Sequence, residues 1–287
     1  MTALVTVGVD GSPESLAAVA WAAREAVLRD VPLLLFHVEE WTEPPQDHRF
    51  TATPNHRSEA LLHDAAERAR RDQPALEVST RCVRGRAAEV LSRAADEAEL
   101  TVLGSRGLGA LSEFMVGSVS LAVVGTARHP VVLVRAPADG PGHTSDRGVV
   151  AGIDLAHGGD QLLGFAFTEA ARRGGALHIL HILHALPPVY VYAGVMDPHI
   201  GDELGQRAEE TLTDLLRPWQ RTYAGVHVTH EVVAGSPGAR LVEAAKGATM
   251  LVVGRRTRKA PLGPHIGHVA HGVIHHSSAP VALVPLD

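Results

Sequence analysis

The residues best suited to chemistry lie in Gly104-Ser-Arg106-Gly107-Leu-Gly109-Ala-Leu-Ser-Glu-Phe-Met-Val-Gly117-Ser118. This stretch directly follows the apolar run Leu100-Thr-Val-Leu103. A short buried strand over 100–103 is expected to end in a glycine-rich loop that closes on Gly117-Ser118, where a helix over 118–127 begins. Glycines let a backbone approach a polyanion closely. The free N–H groups of a helix start, with a hydroxyl beside them, suit phosphate oxygens. The spacing Gly-x2-Gly-x9-Gly-Ser is not a Walker motif, because no Gly-Lys-Ser/Thr follows.

These residues must be held by strands and helices, and the chain specifies them twice. Residues 82–135 align with 232–285 without a gap, and 17 of the 54 positions are identical. Chance would give roughly one in twelve for such a composition. Gly85 matches Gly235, Gly104 matches Gly254, Arg106 matches Arg256, Gly117 matches Gly267 and Pro130 matches Pro280. Nearer the start, Gly8-Val-Asp10 matches Gly152-Ile-Asp154 at an offset of 144 instead of 150. Two copies of this size are two domains, expected at 1–137 and 148–287, and not a solenoid. The Pro/Gly-rich stretch 136–147 between them reads as a linker.

In the first copy, apolar runs at 5–9, 32–38, 76–83, 100–103 and 131–134 predict strands. Helical spacing predicts helices at 16–28, 57–71, 87–98 and 118–127. Ser12 and Pro13 read as the cap and first-turn residue of the first helix. The second copy repeats the strands at 149–153, 177–183, 226–233, 250–253 and 281–284. The β-α alternation requires a doubly wound α/β fold in each half: a five-stranded parallel sheet with helices on both faces.

Ligands of such sheets bind at the carboxyl ends of the strands, where the strand order reverses. Asp10, His37-Val38 and the loop 104–109 all fall at such ends. Singly, each has an ordinary explanation: Asp10-Gly-Ser as a capping turn, Val38 as core, the loop as a turn. Together they point to a nucleotide site.

The signature resembles the ATP-binding motif of the universal stress protein family, and the resemblance covers nearly the whole chain as two tandem domains. It implies that Gly8 and Asp10 sit beside adenine and ribose, and that the Val38 main chain reads the adenine edge. It further implies that Gly104, Arg106, Gly107 and Gly109 form the triphosphate loop and that Gly117 and Ser118 grip the terminal phosphates. ATP or a related adenine nucleotide, with Mg²⁺, is the implied ligand. Pairing of domains through the last strand, a homodimer or other homo-oligomer and an unidentified regulatory partner in a stress response are also implied.

The second half keeps Gly152, Asp154, Gly254, Arg256 and Gly267 but departs elsewhere. Thr257 replaces the second glycine, and His268 replaces the serine. Asp154 is followed by Leu155-Ala156 where the first half has Gly11-Ser12. A β-branched Thr suits neither positive φ nor close phosphate approach. His268 lacks a small hydroxyl, though as an imidazolium it would pair with a phosphate. This half is either a weakened site or one that serves only to pack.

The remaining composition narrows the class. The chain has 287 residues, a net charge of −6, 45% hydrophobic and 20% charged residues. Net negative charge argues against nucleic acid as a partner. No apolar run approaches the length of a membrane span, and the start carries no signal-peptide pattern. Cys82 is the single cysteine, which fits a cytoplasmic protein without disulfides. His265, His268, His271, His275 and His276 cluster in or near one helix, but no Cys or carboxylate flanks them, so a histidine-bearing face is the simpler reading. His178, His181 and His184 alternate across a strand and do not form one ligand set. No metal site and no catalytic set is expected, and the long loops 41–56 and 185–200 are candidate lids. An ATP hydrolase or adenylyl-transferring enzyme, and a non-binding interaction module, are the competing readings.

Overall fold

The computed structural model describes residues 3–40, 56–105, 116–136, 148–157, 159–183, 200–256 and 266–286. Arg106, Gly107, Gly109, Thr257 and His265, with nearly all of both long loops, lie outside the described residues.

The first unit begins with β1 (Val5–Gly8), whose residues are all buried. Asp10 then turns the chain into α1 (Pro13–Arg29). Ser12 caps this helix as expected: its Oγ accepts the Ser15 N–H at 3.1 Å, and Pro13 follows where no N–H is required. Next come β2 (Leu33–Glu39), α2 (His56–Asp72), β3 (Val78–Arg84), α3 (Ala87–Glu97), β4 (Leu100–Ser105), α4 (Ser118–Thr126) and β5 (Val131–Arg135). All of its strand pairs are parallel, in the order β3-β2-β1-β4-β5. A right-handed crossover puts α1 and α2, which lead outward from β1 to β3, on one face. The reversal at β4 puts α3 and α4 on the other, and α1 packs on α2 as α3 packs on α4.

The second unit repeats the plan with β6 (Val149–Ile153), α5 (Asp160–Arg172), β7 (Ala176–Leu183), α6 (Ile200–Thr222), β8 (His227–Ala234), α7 (Pro237–Ala244), β9 (Met250–Arg255), α8 (His268–His276) and β10 (Val281–Pro285). Its order is β8-β7-β6-β9-β10, again parallel throughout. A short 3₁₀ turn, Leu155–His157, stands where the first unit passes directly from Asp10 to its capping serine.

The first helix of each unit carries a buried ion pair at the same repeat position. In α1, Arg29 Nε lies 2.7 Å from Glu25 and its Nη1 lies 2.5 Å from Glu99. At the end of α5, Arg173, its C-terminal cap, meets Glu169 at 2.5 Å, and Arg172 adds a second contact at 3.0 Å.

Two boundaries differ from the sequence expectation, and the first bears on the site. β4 extends through Ser105, so Gly104 is a strand residue and not the first residue of the loop. β3 begins at Val78, with Leu76 two residues ahead of it.

Candidate functional site

The strand order reverses between β1 and β4, which opens a crevice at their carboxyl ends. Asp10 leaves β1 at this edge. Its Oδ1 accepts the Ser12 N–H at 2.9 Å and the Ser12 hydroxyl at 2.6 Å, which fixes the turn into α1. Asp10 thus holds the capping Ser12 in place from the edge at which the strand order reverses.

Strand geometry assigns the Val38 main chain to the same edge. In β2 the Phe36 carbonyl accepts the Val9 N–H at 2.9 Å, and the Glu39 carbonyl accepts the Gly85 N–H at 3.0 Å. Even-numbered residues of β2 therefore direct their peptide groups toward β1 and odd-numbered ones toward β3. β1 pairs only as far as Gly8 with Phe36, so the N–H and C=O of Val38 face the space beyond its end. One donor beside one acceptor suits the edge of a planar heterocycle.

The helix start completes the arrangement. Gly117 is the N-cap of α4 and supplies no side-chain cap. The first intrahelical bond runs from the Leu121 N–H to the Gly117 carbonyl, so the N–H groups before Leu121 have no acceptor within the helix. Ser118 is exposed at the first helical position. Ser120, which sequence reasoning passed over, ties this start to β4: its hydroxyl donates to the Gly104 carbonyl at 3.1 Å.

The glycines divide into two kinds. A Cβ at Gly104 would stand 2.8 Å from backbone atoms of Glu14 and Ser15, so its absence lets α1 lie against β4. Cβ atoms at Gly8, Gly152 and Gly254 would press on Leu103, Leu241 and Leu286 respectively. These four have a packing reason. Gly117 has none: its φ of −58° and ψ of 143° are open to any residue, and a Cβ would meet only Ser120 Oγ at 3.9 Å. Gly267, at the matching N-cap of α8, would meet nothing within 4 Å.

The second unit reproduces part of this geometry. Asp154 Oδ1 accepts the Ala156 N–H at 3.1 Å, the counterpart of the Asp10 turn, but Gly159 caps α5 without a side-chain bond. Arg256 reaches Asp154 at 3.7 Å, so two of the predicted site residues are brought together. Position 270 is alanine, so the hydroxyl tie made by Ser120 has no counterpart.

Histidines recur at both strand ends. His37 Nδ1 lies 2.7 Å from the Val9 carbonyl, and His181 Nδ1 lies 3.0 Å from the Ile153 carbonyl. Each ring braces the chain leaving the strand beside it, and the 144-residue offset relates them. His178 turns instead to Thr229 and Glu231, so the alternation expected along β7 holds for these two. The His271 and His275 rings lie against each other, tilted by 41°, with centres 4.3 Å apart. Among the described residues no group of three or more His, Cys, Asp or Glu side chains converges to hold a metal ion. No described helix is long and apolar enough to cross a membrane. Cys82 is half-buried in β3, and burial raises its thiol above the usual range, with Glu39 adding to the effect.

The topology defines two doubly wound α/β units, each with its strand order reversing beside its first strand. A sequence model of the universal stress protein family matches residues 1–135 and 147–285. The chain belongs to the universal stress protein family, in tandem form. A universal stress protein of Mycolicibacterium smegmatis is 34% identical over 295 residues, covering 98% of this chain and 96% of its own. One from Mycobacterium tuberculosis is 32% identical over 289 residues, covering 96% and 95%. The crystal structure of a universal stress protein from Archaeoglobus fulgidus shares the fold with a TM-score of 0.67 at 17% identity, covering 99% of this chain and 98% of that one.

Proposed function

We propose that the first unit, residues 1–137, binds ATP or a closely related adenine nucleotide, and that the chain acts as a nucleotide-dependent regulator in a stress response. The second unit, residues 148–287, is a degenerate copy. The observation that carries the reading is Gly117, a glycine that neither backbone nor packing requires, at the uncapped start of α4. Phosphate oxygens there would accept the free N–H groups of the first turn and the Ser118 hydroxyl. The Val38 peptide groups would take the adenine edge, and Asp10 the ribose side of the crevice. Arg106, Gly107 and Gly109 would close over the phosphates. With Mg²⁺, the Asp10 carboxylate and Ser118 hydroxyl would supply oxygen donors, the ligand type that ion requires. A homodimer and a regulatory protein partner belong to the same proposal.

Regulation by occupancy calls for slow turnover. ATP incubated for hours with equimolar protein is expected to survive, and steady phosphate release near ~1 s⁻¹, low in the usual enzyme range, would favour the hydrolase reading.

The test of the two-unit assignment is repair of the second half. Thr257→Gly removes the Cβ that restricts the loop, and His268→Ser returns a small hydroxyl to the start of α8. Calorimetric titration with ATP should give one site per chain in the parent and approach two in the double variant. One site in both would put the defect elsewhere, first at the 3₁₀ turn that replaces Gly11-Ser12. Two sites in the parent would overturn the degenerate reading.

A further inference from the structure

The duplication supplies an internal control for the outer helical layer. In the second unit, Trp219 of α6 lies against Gly164 of α5, whose Cβ would stand 3.3 Å from the indole. Phe167 stacks on Trp219 with centroids 5.8 Å apart, and Tyr223 packs against both. The space between these helices is filled by aromatic rings.

Strand register carries the repeat into the same helices of the first unit. Leu33 pairs with Val78 as Leu177 pairs with Val228, at offsets of 144 and 150. Gly164, Phe167, Trp219 and Tyr223 thus correspond to Ala20, Ala23, Ala69 and Gln73. None of the three rings has an aromatic counterpart at the corresponding positions of the first unit. A cavity of about 400 Å³ stands there instead, with Leu16, Val19, Ala20 and Ala69 inside and Arg68, Arg71 and Asp72 at its mouth. That volume falls within the range of small-molecule pockets. Among the described residues no ion pair engages Arg68 or Arg71. The two guanidinium groups, one helical turn apart, outweigh the single carboxylate of Asp72.

We infer that the groove between α1 and α2 is a second ligand site, which takes a small aromatic carboxylate with its ring between the helices and its acid group at Arg68 and Arg71. The ring occupies the volume that Trp219 fills in the other unit. Guanidinium groups suit the acid because they pair with carboxylates in bidentate geometry and stack on aromatic faces. The site does not depend on the nucleotide reading.

The probes are indole-3-carboxylate and neutral indole, added to the full chain with ATP saturating and followed by saturation-transfer NMR and by amide shifts of Ala20 and Ala69. The carboxylate should bind saturably below ~1 mM and at least tenfold more tightly than indole, since a charge-assisted pair adds more than ~1.4 kcal/mol. Ala69→Trp should abolish binding of both probes with the fold intact by circular dichroism. Ala69→Leu, a smaller filler, should weaken both in the same direction. Arg68→Gln with Arg71→Gln should reduce the carboxylate to the affinity of indole and leave indole unchanged. Undiminished binding to a folded Ala69→Trp or Ala69→Leu chain, or no saturation of the parent at several millimolar, overturns the assignment. So does binding of an acidic Trp-containing peptide with neither free probe bound, which would make the groove a protein-docking face.

Discussion

Gly117→Asp is expected to lower ATP affinity by at least two orders of magnitude and leave the fold untouched. The carboxylate would stand at the uncapped start of α4, where the proposed site puts phosphate. Like charges at close range in a partly desolvated crevice cost about 3 kcal/mol or more, which is the stated loss in affinity. Stability should not fall. The backbone at Gly117 has φ −58° and ψ 143°, and a Cβ there meets only the Ser120 hydroxyl at 3.9 Å. Asp is also a better N-cap than glycine by a few tenths of a kcal/mol, and its charge favours the helix N-terminus. Thermal melts should therefore match or slightly exceed the parent while calorimetry loses the nucleotide. Gly104 offers no such separation, because any side chain there would strike the backbone of α1. Unchanged ATP affinity in a folded Gly117→Asp chain removes α4 from the site.

Arg29→Met should be strongly destabilising. Its guanidinium joins Glu25 and Glu99, and the side chains of Arg29 and Glu25 are each only 2% exposed. Removing one partner of a buried pair costs about 3–5 kcal/mol, since the remaining charge keeps its desolvation penalty without the compensating attraction. At about 2–4 °C per kcal/mol the transition should move down by roughly 10 °C. Replacing Glu25 by Leu in the same chain removes the stranded charge and should recover most of the loss. A melt of Arg29→Met within ~1 °C of the parent would show that the pair carries no such energy.

Local signals reveal the elements and the outline of the crevice. Asp10-Gly-Ser-Pro13 gives away both a turn and a helix start, because capping depends on side chains within three residues. The apolar runs end at glycine or polar residues, so the strands and the parallel β-α alternation follow from the chain, while the order β3-β2-β1-β4-β5 is read from the structure. What stays hidden is set by distant neighbours. Gly104 reads as a loop glycine, yet its lack of a side chain answers to the backbone of Glu14 and Ser15. Ser120 looks like any polar residue of a short helix until its hydroxyl is seen on the Gly104 carbonyl. The Gly-Ser-x-Ser spacing at 117–120 was the available signal. His37 and His181 share a repeat offset that could have paired them, but the carbonyls they brace belong to neighbouring strands. The Ala69–Trp219 exchange lies before the stretch that aligns without a gap, so strand register is what pairs the two positions.

Equilibrium dialysis of labelled ATP against the parent chain tests the central claim most directly. Saturable uptake approaching one nucleotide per chain is the predicted result, with the site assigned to the crevice between β1 and β4. No saturable uptake at millimolar ATP, by protein that melts cooperatively, would contradict it.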